Sequence, residues 1–250
     1  RWTWNHKKRA WSDLDLTIIA PSQWLADCAR RSPLLEKYRI VTIPNGIDTS
    51  LFRPEERQYC RSLLGLPDGK KLALFGSIKG AGDVRKGFPL LQSALDGLAG
   101  SALNDDLELV VFGDSAAGLV ESLGLPCHDV GLIEDDELLA ALYSAADVAV
   151  ISSLEDNLPN IVMEAIACGT PCVAFDVGGI PDMIEHGVNG YLAKPLDPVD
   201  LRRGLEWVLG DQSRWERLSA NSRQKALENF AIDKVVARHI DLYDELLAEY

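Results

Sequence analysis

The sequence predicts an α/β fold: a Rossmann-like, doubly wound parallel sheet with helices on both faces. Short β-branched runs alternate with amphipathic stretches, and most of the runs are continuously apolar rather than alternating. Strands of that kind are typical of a sheet that is covered by helices on both sides. The eight candidate strands cover residues 15–20, 39–44, 71–77, 107–113, 127–132, 147–152, 171–176 and 190–193.

Helix-start residues precede the amphipathic stretches between these strands. We expect helices to begin after Ser22, Gly87, Asp135 and Pro159. From residue 197 to the end, apolar positions recur at helix spacing, so this part is predicted to be helical throughout. The first dozen residues are basic and aromatic, and the sequence leaves open whether they form a helix or an extended arm.

Composition excludes several classes of protein. The chain has 250 residues, of which 47% are hydrophobic, so it can bury a substantial core in one large domain or two small ones. A formal net charge of -13 argues against a nucleic-acid partner, because such a partner requires a basic surface. The five cysteines are scattered without a CxxC pair, which indicates neither a disulfide framework nor a zinc site and favours a reducing, cytoplasmic compartment.

Neither a membrane span nor a leader is expected. The longest uncharged stretch is interrupted by Gly169 and Pro171 and falls short of the roughly 20 residues that a spanning helix needs. The N-terminus has cations without an apolar run behind them, which is unlike a signal peptide. Since the first residue is Arg1, we expect the chain to begin within a longer protein.

The turn after the strand at 147–152 contains two acids suited to a ligand. Ligands of open parallel sheets bind at the carboxyl ends of strands. Here Asp156 lies in the loop, whereas Glu164 shares a face of the following helix with Asn160. Carboxylates in this place can accept hydrogen bonds from ribose or hexose hydroxyls, and the helix N-terminus supplies amides for phosphate. The alternative is that Asp156 only caps the helix and Glu164 is solvated.

Two further turns follow predicted strands. The loop at 77–88 contains Lys79, Arg85 and Lys86, which predicts either a diphosphate clamp or a solvated surface. The turn at 176–184 has adjacent glycines, which allow either close approach of a ligand or a tight turn between packed elements.

These segments, in this order, resemble the C-terminal domain of retaining GT-B glycosyltransferases of the group 1, family 4 type, which include many bacterial polysaccharide and lipopolysaccharide transferases. Six segments match in register, and together they are far more specific than any one alone. The resemblance covers about residues 40–201 and implies the C-terminal half of a GT-B fold. The matching segments are IPNGIDTSLFRP, LFGSI with RKGF, LVVFGD, DVGLIEDDELLAALYSAADVAVISS and EDNLPNIVMEAIACGTPCVAFDVGGIPDMIEHGVNGYLAKPLDPVDL.

The resemblance implies roles for individual charged residues. Glu164 would hold the ribose hydroxyls of a donor nucleotide, and Lys86 would reach its diphosphate. Asp156 would contact the donor sugar, with the adjacent Glu155 as the alternative. The family often has an arginine directly after the strand glycine, where this sequence has Ser77 after Gly76, so Arg85 is the candidate for the second phosphate contact.

Backbone contacts are implied in two other segments. One stands where the family usually has a glycine-rich turn that offers amides to the sugar and phosphate. It consists of Asn157, Leu158, Pro159 and Asn160. Proline removes one amide there, and we expect the Asn160 amide and the Asn157 side chain to compensate. The second segment matches the loop whose backbone reads the nucleobase, and it consists of Val130, Gly131 and Leu132.

The resemblance also implies a division of the chain. Residues 1–36 would be a remnant of an N-terminal domain or a connector, and residues 37–232 the nucleotide-sugar-binding domain. Residues 233–250 would form the helix that crosses back onto the N-terminal domain. The missing N-terminal domain would bind the acceptor, so the isolated chain is expected to be inactive.

The implied reaction transfers a hexose from a nucleotide diphosphate sugar to an acceptor hydroxyl with retention, in polysaccharide or glycolipid synthesis. Asp156, Lys86 and Arg85 would act in catalysis, and neither a metal nor another cofactor is expected. The acceptor would be a carbohydrate or lipid-linked, which allows peripheral association of the whole enzyme with the inner face of the membrane. The alternatives are a nucleotide-sugar-binding module without transfer activity, or another GT-B enzyme such as an epimerase or phosphorylase.

Overall fold

All eight predicted strands are present in the computed structural model, which describes residues 2–76, 84–101, 103–113 and 124–249. The strands are β1 (Thr17–Ala20), β2 (Arg39–Thr42), β3 (Lys71–Gly76), β4 (Leu107–Phe112), β5 (Cys127–Gly131), β6 (Val148–Ile151), β7 (Cys172–Phe175) and β8 (Gly190–Ala193). Six of them form a parallel sheet in the order β5-β4-β3-β6-β7-β8, and β1 pairs with β2 in parallel separately. The order reverses between β3 and β6, which is where open α/β sheets bind ligands.

The predicted helix starts are confirmed. The helices are α1 (Trp2–Trp11), α2 (Gln23–Arg30), α3 (Arg57–Leu64), α4 (Phe88–Asp96), α5 (Asp136–Ala145), α6 (Asn160–Ala167), α7 (Ile180–Met183), α8 (Pro198–Leu209), α9 (Gln212–Asn229) and α10 (Ile232–Ala248). Ser22 and Asp135 accept backbone N–H groups as N-caps, whereas Gly87 and Pro159 occupy cap positions without a side-chain bond. The first dozen residues are therefore mostly helical.

Helices cover both faces of the six-stranded sheet, as the doubly wound prediction requires. One buried cluster contains residues of α5 and α6 together with parts of α3 and α9. The cluster on the other face contains residues of α4 and α8. All residues of β6 and β7 are buried, which explains why their sequences are continuously apolar.

A buried carboxylate strengthens the junction between the two halves of the large sheet. β3 and β6 share only two paired positions. Asp147, directly before β6, accepts the backbone N–H of Leu72 in β3 at 2.7 Å. Arg61 and Arg57 donate to the same carboxylate at 2.7 and 2.9 Å, so this buried charge is fully paired.

The small sheet packs against the C-terminal helix rather than joining the large sheet. Ile43, Val235 and Leu242 form a separate buried cluster, and Arg39 pairs with Glu245 at 2.7 Å. Helix α10 starts one residue earlier than the predicted crossover helix, and the predicted domain boundaries stay a prediction. In the parts of the chain described here, no helix combines the length and hydropathy that crossing a bilayer demands.

Candidate functional site

Three loops meet at the carboxyl ends of β3, β6 and β7. We call them the cation loop (84–87), the acid loop (152–159) and the glycine turn (176–179). The backbone N–H of Leu154 donates to the carbonyl of Arg85 at 2.7 Å, and the Ser152 hydroxyl donates to the carbonyl of Lys86 at 2.8 Å. The acid loop therefore holds the cation loop by hydrogen bonds to the backbone carbonyls of the cation loop.

Glycines permit the close contacts among these loops. A Cβ on Gly87, whose φ is +65°, would lie 1.9 Å from the carbonyl oxygen of Ser152. A Cβ on Gly178, whose φ is +58°, would lie 1.8 Å from the carbonyl oxygen of Asp156, and Gly179 N–H donates to that oxygen at 3.0 Å. The contacts of the glycine turn thus favour the packing interpretation over close approach of a ligand.

The cation and acid loops enclose a charged cleft of about 340 Å³. Lys86 Nζ lies 3.1 Å from Asp156 Oδ2, and both side chains are partly exposed, at 33% and 23%. Pro159, not Asp156, occupies the cap position of α6, so the capping alternative for Asp156 is wrong. The cleft is lined by Trp24, Arg85, Lys86, Glu155, Asp156 and Asn157.

The structure thus brings together the three predicted catalytic residues, Asp156, Lys86 and Arg85. Glu155 also lines the cleft and is more exposed than Asp156. Asp156, not Glu155, forms the ion pair with Lys86, and which of the two acids would contact a sugar stays a prediction.

Glu164 lies apart from this cleft, in a half-buried position. The Tyr143 hydroxyl donates to its Oε2 at 2.6 Å, and the Tyr143 ring packs edge-on against Phe112 at the end of β4. Burial raises the pKa of the Glu164 carboxyl, and the hydrogen bond from Tyr143 opposes that shift. The alternative of a solvated Glu164 is therefore wrong, and its role in ribose binding stays a prediction.

The residues expected to replace the glycine-rich turn have mixed roles. Asn157 Oδ1 accepts a hydrogen bond from the Ser22 hydroxyl at 2.6 Å, so this oxygen fixes α2. Leu158 is buried in the core at 6% exposure, and Pro159 is buried beside it. Asn160 is exposed as the first residue of α6, where helix geometry leaves its amide without an intrahelical acceptor.

Gly76 lies at the end of β3, directly before the predicted phosphate contact at Ser77. A Cβ on Gly76 would lie 2.7 Å from side-chain atoms of Phe112 and Ile161, so a larger residue would require these side chains to shift. Ser77 lies outside the described residues, as does the predicted cation at position 79. Interaction of these positions with a ligand stays a prediction.

The backbone of Gly131, in the predicted base-reading loop, is already hydrogen-bonded. Its N–H donates to Asp129 Oδ1 at 2.9 Å, and its carbonyl accepts from the Gly113 N–H at 2.8 Å. Val130 packs partly against the core, whereas Leu132 is 60% exposed. Base recognition by the backbone of Val130, Gly131 and Leu132 stays a prediction.

Sequence reasoning did not include Trp24 among the site residues, and it treated Ser22 only as the start of a helix. Both follow β1, so the rule that directed attention to strand ends applied to them as well. It also missed Tyr143, whose contact with Glu164 joins two helices. No cluster of His, Cys, Asp or Glu suited to a metal ion occurs among the residues that the structure describes.

The parallel sheet with its charged cleft at the switch point defines the C-terminal half of a GT-B fold. The chain is similar to sucrose-phosphate synthase from Thermosynechococcus elongatus, with a TM-score of 0.82 and 26% identity over 99% of this chain and 63% of that one. It is also similar in fold to Anabaena HepE in complex with UDP-glucose, with a TM-score of 0.78 and 20% identity over 95% and 66% of the two chains.

A model of the family "Glycosyl transferases group 1" matches residues 64–225, so the chain belongs to the group 1 glycosyltransferases. The D-inositol 3-phosphate glycosyltransferase of Geodermatophilus obscurus is 34% identical over 226 residues, which are 84% of this chain and 49% of the relative. The chain spans about half the length of the curated relatives that it matches.

Replacement of Gly87 tests the contact between the cation and acid loops. Gly87→Ala should lose about 1–2 kcal/mol from the left-handed backbone and a further 1–3 kcal/mol from the clash with Ser152. Gly65→Ala is the matched control, because its φ is +66° and no atom lies within 4 Å of the added Cβ. Urea denaturation measures both losses, and equal losses would contradict the close contact.

Glu164→Gln tests the buried carboxylate through pH. With its pKa raised above 4.5 in the folded state, Glu164 binds protons more tightly when folded, so its contribution to stability falls as pH rises from about 4.5 through the folded pKa. Glutamine keeps an acceptor for Tyr143 but does not ionise. In the ligand-free chain, the melting temperature of the variant minus that of the parent should become more positive as the pH increases from 4 to 7.

The exposed Glu36→Gln substitution is the control for this pH series. A melting-temperature difference that stays constant with pH for Glu164→Gln would show that its carboxyl is not held at a raised pKa.

Proposed function

We propose that this chain is the donor-binding half of a retaining hexosyltransferase that uses a nucleoside diphosphate sugar. The observation that carries the proposal is the cleft at the switch point, where Lys86 and Asp156 face each other at 3.1 Å beside Arg85. Cations in this place suit a diphosphate, and carboxylates suit sugar hydroxyls. The named activities of the relatives and the UDP-glucose complex of HepE support the same ligand class.

Donor binding would rearrange the ion pair. A diphosphate that enters the cleft offers Lys86 a more highly charged partner than Asp156. Once Lys86 turns to the diphosphate, Asp156 is released to accept hydrogen bonds from the hexose. The two side chains are partly exposed, so this exchange requires little desolvation.

The same groups would assist the chemical step. As the acceptor oxygen bonds to the anomeric carbon, the bond from that carbon to the diphosphate breaks and negative charge grows on the leaving group. Lys86 and Arg85 would stabilise that charge where it develops, together with the amide of Asn160 at the start of α6. The acceptor hydroxyl loses its proton in this step, and an oxygen of the leaving diphosphate would accept it. The proposal requires no metal ion and no other cofactor.

Glu164 would bind the other end of the donor. It lies in the second turn of α6, which begins three residues after Asn157 of the cleft, so a nucleotide along this helix would reach both places. Its Oε2 is held by Tyr143, which fixes the carboxylate for the two hydroxyls of a ribose. We propose that a carbohydrate or lipid-linked acceptor binds to a part of the protein that precedes this domain, and that the isolated chain binds donor without transferring it.

Lys86→Ala and Glu164→Ala test the two ends of the donor separately. Loss of a charged hydrogen-bond partner typically costs about 1.5–3 kcal/mol, so each change should weaken binding of the nucleotide sugar about 10- to 150-fold. Glu164→Ala should also weaken binding of the nucleoside monophosphate, whereas Lys86→Ala should affect it little. Titration calorimetry measures these affinities.

A thermal-shift panel of UDP-glucose, GDP-mannose and ADP-glucose selects the ligand, because a ligand that binds only the native state raises the melting temperature. Lys234→Ala is the control for loss of a positive charge in the calorimetric test. It removes an exposed cation on α10, so the affinity for the nucleotide sugar should not change. Unchanged affinity in both site variants would remove the proposed site.

A further inference from the structure

Trp24 supplies an aromatic wall to a cleft that is otherwise charged and polar. Of the described residues that line the cleft, Trp24 alone has an aromatic side chain. The others are two cations, two acids and an asparagine. Trp24 is partly exposed, so part of its surface is open to a ligand. The other large exposed aromatic side chains include Trp2 on α1 and Tyr243 on α10, which do not line this cleft.

The loops of the site hold Trp24 in place. The Ser22 hydroxyl donates to Asn157 Oδ1 in the acid loop at 2.6 Å, and Ser22 Oγ accepts the N–H of Leu25 at 3.1 Å. The N–H of Gln23 donates to Asp182 Oδ2 in α7 at 2.6 Å. Residues 22, 23 and 25 are thus fixed on both sides of Trp24, and Ser22 is fully buried. The backbone that carries Trp24 is therefore held in place, and the Trp24 side chain lines the cleft.

The chemistry of the wall distinguishes the two parts of a nucleotide sugar. A diphosphate is recognised by cations and amides and gains little from an aromatic face. A hexose ring has hydroxyls at its edge and C–H groups on its faces, and those faces lose unfavourable contact with water against an aromatic ring. The acids Glu155 and Asp156 lie in the same cleft to accept hydrogen bonds from the hydroxyls.

We infer that the indole of Trp24 packs against the hexosyl ring of the donor and contributes to recognition of the sugar rather than of the nucleotide. The inference rests on the proposed function, because it assumes that the diphosphate lies at Lys86. It assigns a substrate contact to β1–α2, a unit outside the six-stranded sheet.

The test compares each nucleotide sugar with its own nucleoside diphosphate. Affinities are measured by calorimetry for the pair that the thermal-shift panel selects from UDP-glucose and UDP, GDP-mannose and GDP, or ADP-glucose and ADP. Trp24→Ala should weaken binding of the nucleotide sugar about three- to tenfold, on the scale of one aromatic contact of about 0.5–1.5 kcal/mol. Binding of the nucleoside diphosphate should change less than twofold.

Trp24→Phe keeps an aromatic face, so it should recover most of the lost affinity for the nucleotide sugar. Trp2→Ala, which removes an exposed indole outside the cleft, should change neither affinity. Equal losses for both ligands of the pair, or no loss for either, would overturn the assignment of Trp24 while the nucleotide site stands. If the parent chain bound no member of any pair, the proposed function would fail, and this inference with it.

Discussion

The cleft depends on direct contact between the main chains of three loops. At Gly87 and Gly178 a carbonyl oxygen of the acid loop occupies the space that a side chain would need. As a result, Ser152 and Leu154 set the position of Lys86 through hydrogen bonds to backbone carbonyls. A flexible lysine thereby starts from a fixed backbone, and less of its freedom is lost when it binds a phosphate.

The position of Glu164 lowers the stability of the folded chain instead of adding to it. Burial raises its pKa, which means that the ionised form is disfavoured in the folded chain without ligand. A protein selected for stability alone would gain from a neutral residue at this position. In the proposed function, a carboxylate that is desolvated in advance and oriented by Tyr143 would need less reorganisation when a ribose binds.

Sequence reasoning predicted the features that are set locally. Strands and helix starts follow from apolar periodicity and cap residues, and the strand-end rule located Lys86 and Asp156. The sequence did not predict how these parts are held together. The bond from Ser22 to Asn157 joins residues 135 positions apart, and the packing role of Gly178 depends on a carbonyl of another loop. Such contacts leave no periodic signal, since each depends on the tertiary arrangement.

The cleft takes its walls from two separately paired sheets. Its charges lie on loops of the six-stranded sheet, whereas Trp24 lies on α2, which Ser22 caps and which connects the strands of the small sheet. Hydrogen bonds from Ser22 and from Gln23 join the start of α2 to the acid loop and to α7. The small sheet is in turn packed against α10, which follows the large sheet in the chain. The cleft is therefore complete only while the two sheets keep this arrangement. In the proposed function, a change in their packing would alter the sugar end of the site before the nucleotide end, because Glu164 and Tyr143 both lie on helices of the large sheet.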